Sequence, residues 1–364
     1  MINKLVIENL KHRWVRTSLS AAAVGVQVTM ILTLVGVSYG TLEDMARRSR
    51  GVGADILIRP PGSSIISLSS APMPQKLLDF VRQIPHVTTA TGTAVHAIGG
   101  TNSVTGIDLN EFSRMSGGFK YISGGPFQGP DDVIVDEYWA RQNKLKVGSQ
   151  AKFLNKTWRV CGIVEPGKLA RLFLPLPLVQ ELSANTGKIS MVYVKLDDQS
   201  NLAEVLGALK KALPEHQIYS IEEYSSLISV NNVPGLKPFI GVVIGVSIIV
   251  GFLVVFLSMY TAVLERTREI GILKSLGATP QMILGILVRE TVALAVVGSI
   301  AGILLTYLTR WAIMQYVPGN LTQVIVPDWW PIATLISLTG SLTGALYPGW
   351  KAARQDAIEA LSYE

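Results

Sequence analysis

The sequence is short of charged residues, of cysteine and of histidine, and each shortage limits what the chain can be. Only 16% of its 364 residues are charged and its mean hydropathy is +0.37, which excludes an ordinary soluble protein of this length. The single cysteine, Cys161, cannot form a disulfide within the chain, so we expect it to be a buried structural thiol. The composition therefore indicates a membrane protein.

Catalytic and nucleotide-binding motifs are also missing from the sequence. The four histidines are scattered and show none of the spacings of metal ligands. There is no Gly-x-Ser-x-Gly nucleophile motif, and Gly187-Lys188 lacks the upstream glycine of a Walker A loop. We predict a non-enzymatic chain with no catalytic, cofactor-binding or metal-binding residues, which does not hydrolyse a nucleotide on its own.

The apolar residues are gathered in runs of about the length that crosses a bilayer. We predict transmembrane helices over residues 17–40, 239–264, 282–309 and 330–350. The first run is too long for the core of a signal peptide and lacks an A-x-A cleavage site, so we predict that it is retained. Residues 1–16 predict a cytoplasmic amphipathic helix, with a basic flank that only fixes topology as the alternative.

The positions of lysine and arginine predict the orientation. Basic residues precede the first run, lie between the second and third, and follow the fourth, whereas residues 311–329 contain none. By the positive-inside rule, both termini, residues 265–281 and the tail 351–364 are cytoplasmic, and residues 41–238 and the short loop 310–329 are external. The net charge of +6 lies largely at the cytoplasmic side, which indicates lipid headgroups rather than nucleic acid.

Residues 41–238 are predicted to form a large α+β domain. Residues 54–98 and 191–221 each have the pattern strand, helix, strand, which favours a duplicated α/β subdomain. Between them, residues 102–177 predict a β-rich insert with a hairpin at Asn155-Lys156. The predicted fold class is an α-helical membrane protein with four transmembrane helices and a large α+β extracytoplasmic domain between helices 1 and 2.

Small and polar residues within the apolar runs bear on how the helices pack. Each run has a Gly-x-x-x-Gly pair, which is typical of close helix contacts within one chain or across a dimer; the pairs are Gly36 and Gly40, Gly241 and Gly245, Gly298 and Gly302, Gly340 and Gly344. Polar residues are expected at few positions, namely Thr29, Thr33, Ser38, Ser247 and Ser258. So few polar groups argue against a solute pathway through the helices.

A charged link, which we call the elbow, joins the second and third runs over residues 265–281. A short connection between two spanning helices lies outside the bilayer, where its charges are solvated. We predict a helix on which Glu265 and Glu269 share a face. Its apolar stripe consists of Ile270, Ile272, Leu273 and Leu276. Gly277 is placed to end this helix and Thr279-Pro280 to begin the next.

Three segments of the sequence resemble the FtsX-like, MacB-type (type VII) ABC transporter permeases. Residues 263–279, VLERTREIGILKSLGAT, closely resemble the signature segment of that family, and Glu290 follows early in the next helix. Residues 347–361 resemble the end of the family's membrane domain, and residues 8–20 its amphipathic entry. The chain departs from the family at Asp356-Ala357, where aspartate-proline is common.

The resemblance implies a non-catalytic permease subunit in the bacterial cell (inner) membrane. It implies a second permease copy, as a homodimer or a related heterodimer, and two copies of a cytoplasmic ABC ATPase that would hold ATP and Mg. A periplasmic adaptor is a further expected partner. The elbow would then be the ATPase-coupling site, formed by Glu265, Arg266, Arg268, Glu269, Ile272, Leu273, Lys274, Leu276 and Gly277.

The resemblance also implies mechanotransmission, in which a porter-like α/β subdomain and its insert move as the ATPases close and open. The expected output is efflux or extraction of a hydrophobic, peptide or lipid-linked substrate. An FtsX-like regulator of an extracytoplasmic cell-wall hydrolase is the alternative, although such proteins have smaller external domains. A membrane-anchored binding module without an ATPase is a rival of another class, and it leaves the elbow motif unexplained.

Overall fold

The computed structural model describes residues 8, 14–63, 72–99, 102–317 and 321–354. Most of the predicted N-terminal amphipathic helix and of the predicted tail lies outside the described residues. The chain divides into two compact units. A helical unit contains residues 1–38, 235–313 and 323–364, and an α/β unit contains residues 39–234 and 314–322.

The helices are α1 (Trp14–Arg50), α2 (Leu77–Val81), α3 (Leu109–Ser116), α4 (Glu137–Gln142), α5 (Leu176–Leu182), α6 (Leu202–Ala212), α7 (Ile221–Leu227), α8 (Leu236–Glu265), α9 (Thr267–Ser275), α10 (Pro280–Tyr316) and α11 (Trp329–Arg354). The strands are β1 (Ile56–Arg59), β2 (Met73–Pro74), β3 (Val87–Gly99), β4 (Asn102–Ile107), β5 (Tyr121–Gly124), β6 (Asp132–Asp136), β7 (Gln150–Phe153), β8 (Lys156–Val164), β9 (Leu172–Pro175), β10 (Lys188–Ile189), β11 (Met191–Leu196) and β12 (Gln217–Ser220).

Among the described residues, three helices are long and apolar enough to cross a membrane. They are residues Thr17–Arg50 of α1, α8 and α10. Helix α11, with 26 residues, is not among them. The predicted membrane spans end at residues 40 and 309, whereas α1 itself continues to Arg50, as expected of the charged residues 43–50, and α10 continues to Tyr316.

The helices of the helical unit bury small and branched side chains between them. One cluster combines Val24 of α1 with Val255 and Met259 of α8 and Ile283 and Leu287 of α10. A second combines Val28, Ile31 and Leu32 of α1 with Ala333 of α11. Large apolar side chains remain exposed on α8, namely Val242, Val246, Ile249, Leu253 and Leu257. A water-soluble protein does not normally expose so continuous an apolar face, whereas a bilayer covers it.

The α/β unit is built on a ten-stranded mixed sheet with the order β12-β1-β11-β3-β4-β9-β6-β8-β5, and β7 pairs with β8 beside this path. Strand β1 is antiparallel to both β11 and β12, and β11 is antiparallel to β3. The order β12-β1-β11-β3, with α2 following β1 and α6 following β11, is that of a split βαβ motif. The structure thus has the two strand, helix, strand units that the sequence predicts.

The insert shares this sheet instead of forming one of its own. Strand β3 is 13 residues long, and its first part pairs with β11 while its second part pairs with β4. Trp158 of β8 is fully buried and stacks on Phe153 with ring centroids 5.4 Å apart. The long strand therefore makes the α/β subdomain and the insert one continuous structure.

A buried cluster of charges lies in the α/β unit where α1 ends. Asp44 of α1 accepts from Arg171 at 2.9 Å, and Arg171 also lies 3.6 Å from Asp136. Burial raises the pKa of Asp136 to about 6, although Arg171 opposes the change. Asp136 also caps α4 by accepting from the Trp139 amide at 2.7 Å. The cluster fixes the end of α1 to the insert by paired charges, the form in which buried charges are tolerated.

Candidate functional site

The elbow consists of a short helix between two backbone breaks. Helix α8 ends at Glu265, and Arg266 leaves helical geometry with φ −110° and ψ 14° before α9 begins. At the other end, Gly277 has φ +94°, its amide donates to Lys274 O at 2.9 Å, and the Ala278 amide donates to Leu273 O at 3.0 Å. This pair of bonds is a Schellman motif, which ends α9 at a glycine in the left-handed region.

The start of α10 is also set by its sequence. Thr279 precedes the helix and its hydroxyl accepts from the Met282 amide at 3.3 Å, and Pro280 occupies the first helical position. A threonine cap followed by proline is a favourable helix start because proline lacks an amide that would need a partner. The break at Arg266, the Schellman motif at Gly277 and the helix start at Thr279-Pro280 thus confine α9 to nine residues.

Helix α9 has an exposed face and a buried face. Leu276 is 80% exposed and Ile272 46% exposed, although both are large apolar residues. Arg268 and Glu269 are exposed beside them. On the opposite face, Ile270 is 7% exposed and packs in the cluster of Ile283 and Leu287. The elbow therefore presents leucine, isoleucine and charges outward while its inner face is packed on the helical unit.

Arg266 and Glu290 form a buried ion pair between the elbow and α10. Arg266 Nη1 donates to Glu290 Oε2 at 3.0 Å, and Nη2 donates to Oε1 at 3.3 Å. Both side chains are almost fully buried. Two parallel N–H···O bonds between a guanidinium and a carboxylate fix the relative orientation of the two groups as well as their distance.

The structure divides the predicted coupling residues into groups with different surroundings. Glu265 is the last residue of α8 and Glu269 lies in α9, so the predicted single helix is wrong because the chain breaks at Arg266 between them. Arg266 lies inside the helical unit with Glu290 rather than on the outer face. Leu273 and Lys274 are half-buried, and Gly277 is exposed at the end of α9.

The glycine pairs differ in what they contact. Added Cβ atoms at Gly298 and Gly302 would lie 2.7 Å from Ala21 O and 2.6 Å from Gly25 O, so this pair packs on α1. Three further glycines lie close to chain atoms: Gly36 to Val324 O, Gly340 to Ile248 O, and Gly344 to Phe252 O. Gly40 is buried in α1. At Gly241 and Gly245, no described atom lies within 4 Å of an added Cβ, so this pair makes no close contact in the described chain.

The helical unit buries more polar side chains than the sequence predicts. Ser299 of α10 and Ser337 of α11 lie 3.1 Å apart, and Thr29 of α1 donates to Gly302 O at 3.0 Å. Gln27 is 4% exposed, and neither of its amide atoms has a hydrogen-bond partner among the described residues. Its amide lies against Gly251 of α8. The expectation of five polar positions is therefore corrected, and Gln27, Ser299 and Ser337 are among the buried polar residues that it missed.

The titratable and thiol side chains of the α/β unit were also possible functional groups. Among the residues that the structure describes, no three histidine, cysteine, aspartate or glutamate side chains are placed to hold a metal ion. Cys161 is half-buried with its thiol 3.5 Å from Val133 O, and burial raises the pKa of that thiol to about 11. A thiol with so high a pKa is a poor nucleophile at neutral pH, which favours a structural role. The side chain is half-buried, however, and not buried as predicted.

Two family models match the chain. The FtsX-like permease C-terminal model matches residues 241–357, which include the elbow, and the MacB-like periplasmic core domain model matches residues 17–212. The second match covers more than half of the chain. The chain therefore belongs to the FtsX-like, MacB-type family of ABC transporter permeases, and it is a multi-pass membrane protein with a large α/β domain of the MacB type.

Curated relatives agree with this assignment. The chain is 25% identical over 324 residues to the macrolide export ATP-binding/permease protein MacB of Aggregatibacter actinomycetemcomitans, covering 79% of this chain and 49% of the relative. It is 30% identical over 171 residues to an uncharacterized ABC transporter permease of Methanocaldococcus jannaschii, covering 44% of this chain and 42% of the relative. It is 30% identical over 143 residues to the uncharacterized ABC transporter permease YknZ of Bacillus subtilis, covering 37% of this chain and 35% of the relative. The chain thus spans half or less of the length of these relatives.

Two solved structures are similar to part of the chain. The periplasmic region of MacB from Actinobacillus actinomycetemcomitans aligns with 49% of this chain and 94% of its own, at 18% identity and a TM-score of 0.38. The extracellular domain of YknZ from Gram-positive bacteria aligns with 46% of this chain and 99% of its own, at 15% identity and a TM-score of 0.35.

Proposed function

We propose that this chain is the non-catalytic membrane subunit of an ABC transporter, which passes the force of ATP hydrolysis by a cytoplasmic ATPase to its α/β unit. The observation that carries the proposal is the exposed apolar face of α9, with Leu276 80% and Ile272 46% exposed. Large apolar residues exposed on a short, firmly anchored helix are typical of a docking surface. Membership of a family of ABC permeases supports an ATPase as the partner.

The docking surface consists of the outward residues of the elbow. Leu276, Ile272 and the half-buried Leu273 fill an apolar groove on the ATPase, and Arg268 and Glu269 set the orientation of the contact. Arg266 is left out of this surface because it is buried against Glu290. ATP and Mg belong to the ATPase, of which two copies act with two permease copies.

The orientation follows from the charges at the helix ends. Arg268 and Lys274 of the elbow and Lys351 and Arg354 at the end of α11 lie on the cytoplasmic side under the positive-inside rule. Helix α11 is then the fourth span, because its last turn must return to the side of the elbow. The α/β unit faces the outside of the bacterial cell membrane.

The proposed output is efflux or extraction of a hydrophobic, peptide or lipid-linked substrate from the outer side. The name of the MacB relative, a macrolide export protein, supports export as the direction. The size of the α/β unit, which continues through residues 39–234, favours this output over control of a cell-wall hydrolase. Movement of the α/β unit, not a channel through the helices, does the work.

The test is co-purification of the ATPase from native membranes. Leu276→Asp places a charge on the docking surface at a position too exposed to affect folding, and Val147→Asp is the matched control on an exposed apolar residue of the α/β unit. An ABC ATPase, identified by mass spectrometry, is expected with the wild type and with Val147→Asp. Its yield should fall at least tenfold with Leu276→Asp, since a buried docking residue contributes about 2 kcal/mol or more. An unchanged yield would refute the docking surface.

A further inference from the structure

The ion pair of Arg266 and Glu290 lies where the elbow meets the rest of the helical unit. Arg266 is the residue at which the chain leaves α8. Its guanidinium contacts Glu290, which lies 24 residues further along the chain in a different helix, α10. Helix α9 follows directly. A displacement of α9 therefore acts first on the backbone of Arg266, and through its side chain on Glu290.

We propose that the Arg266–Glu290 pair is the joint through which movement of the elbow is transmitted to α10, which makes both residues positioning residues of the coupling site. The inference rests on the proposed function, since it concerns what happens after the ATPase has docked. It assigns a task to two residues that lie outside the docking surface.

The geometry of the elbow makes such a joint necessary. Helix α9 has nine residues and lies between two breaks, at Arg266 with φ −110° and at Gly277 with φ +94°. A short helix between two breaks can rotate without moving its neighbours unless a side chain fixes its orientation. Packing of Ile270 on Ile283 and Leu287 holds α9 close, but contacts between methyl groups do not set a direction.

The ion pair does set a direction. Each oxygen of Glu290 accepts from a different guanidinium nitrogen, at 3.0 and 3.3 Å, so a rotation at Arg266 must turn the carboxylate with it or break a bond. Breaking the pair would leave the Glu290 carboxylate as an unpaired charge on a buried part of α10, where Leu287 and Thr291 are also buried, and an unpaired buried charge is strongly destabilising. If α10 moves together with the elbow, the Arg266–Glu290 ion pair is kept.

Stability alone does not account for the pair. A buried ion pair is often no more stabilising than apolar residues of the same size, because both charges must lose their water. The pair does provide a defined geometry, which a lysine would provide less well because it lacks the guanidinium fork. Helix α10 then continues as one helix of 37 residues, whose last residues, from Met314, are counted with the α/β unit.

The experiment measures docking and transmission separately. The full chain is reconstituted with its co-purified ATPase, and spin labels at Glu215→Cys, an exposed position of the α/β unit, report the distance between two copies in a Cys161→Ser background. The variants are the apolar pair Arg266→Met with Glu290→Leu, the swap Arg266→Glu with Glu290→Arg, and Arg266→Lys. Ile270→Val is the control that weakens packing only.

All variants should bind the ATPase as the wild type does, because the exposed face of α9 is unchanged. Relative to the wild type, the ATP-dependent distance change should fall at least fivefold in the apolar pair and about twofold in Arg266→Lys. In the swap it should recover to at least half of the wild-type change, and in Ile270→Val it should equal the wild-type change. A full distance change in an apolar pair of wild-type melting temperature would overturn the proposal. If the apolar pair does not fold, a full change in Arg266→Lys would overturn it equally. Absence of ATPase or of any distance change in the wild type would instead count against the proposed function.

Discussion

Glycine-to-alanine substitutions in two predicted packing pairs should differ in their effects on stability. Gly302→Ala places a Cβ 2.6 Å from Gly25 O and 2.8 Å from the Val28 Cβ, both on α1. Non-bonded carbon atoms prefer roughly 3.5–4.0 Å, so α1 and α10 must separate by about 1 Å. Separation also lengthens the bond from Thr29 to Gly302 O, now 3.0 Å. Gly241→Ala meets no described atom within 4 Å and only adds a better helix former.

The magnitudes follow from these distances. Overpacking against backbone costs about 1–3 kcal/mol, so we expect Gly302→Ala to lose about 2 kcal/mol of unfolding free energy. Gly241→Ala should be unchanged or gain up to about 1 kcal/mol. The expected difference is thus about 2–3 kcal/mol, roughly a 30- to 140-fold change in the unfolding equilibrium constant.

The assay is reversible unfolding of the intact chain in mixed micelles, titrated with a denaturing detergent and followed by tryptophan fluorescence. Size-exclusion chromatography selects monomers, so that any effect of Gly241→Ala on association is kept apart from its effect on folding. Equal stabilities for the two variants, or a larger loss in Gly241→Ala, would refute the packing of α10 on α1 described above.

Three further predictions concern single side chains. Gln27→Met removes a buried amide without a described partner and should raise the unfolding free energy by about 1–3 kcal/mol in the same titration; a loss would show that the amide is satisfied. Cys161, whose pKa is about 11, should react with iodoacetamide at pH 8 at least tenfold more slowly than a cysteine introduced by Glu215→Cys, and equal rates would contradict its burial. The hydrogen bond from His86 to Asp197 raises the pKa of His86, so Asp197→Asn should lower that pKa in a histidine NMR titration. The pair's contribution to stability is then full between about pH 4 and pH 6.5; it is lost as the pH rises through the folded pKa of His86, and also in acid as Asp197, whose pKa is lowered to about 2, becomes protonated. An unshifted His86 in Asp197→Asn would disprove the link.

The strands and helices of the α/β unit are predictable because local patterns decide them. Val87–Gly99 and Met191–Leu196 are rich in β-branched residues, and α6 has apolar residues at helical spacing. The hairpin is offset by one residue from its prediction, since the turn residues are Leu154 and Asn155, with φ +53° and +55°. A type I′ turn needs both central residues at positive φ, and leucine does not signal it.

The elbow was predictable as a segment, but its inner and outer faces were not. Arg266 looks like any other charge of the link, and only the fold brings it to Glu290, 24 residues away. A carboxylate within an apolar helix was the available signal, because such a group needs a partner. Likewise, the Gly298 and Gly302 pair and the Gly241 and Gly245 pair have the same Gly-x-x-x-Gly spacing in the sequence. Helix rotation, a tertiary property, decides which pair contacts a neighbour.

The measurement that tests the coupling claim most directly is the distance between spin labels at Glu215→Cys in two copies of the chain, in the Cys161→Ser background and with no other substitution. The labelled chain is reconstituted in lipid nanodiscs with its co-purified ATPase, and the distance is compared without nucleotide, with ATP under hydrolysis-blocking conditions, and after turnover. Transmission of force to the α/β unit predicts a distance that shifts on ATP binding and returns after hydrolysis. An ATPase that turns over while the distance stays constant would contradict the account.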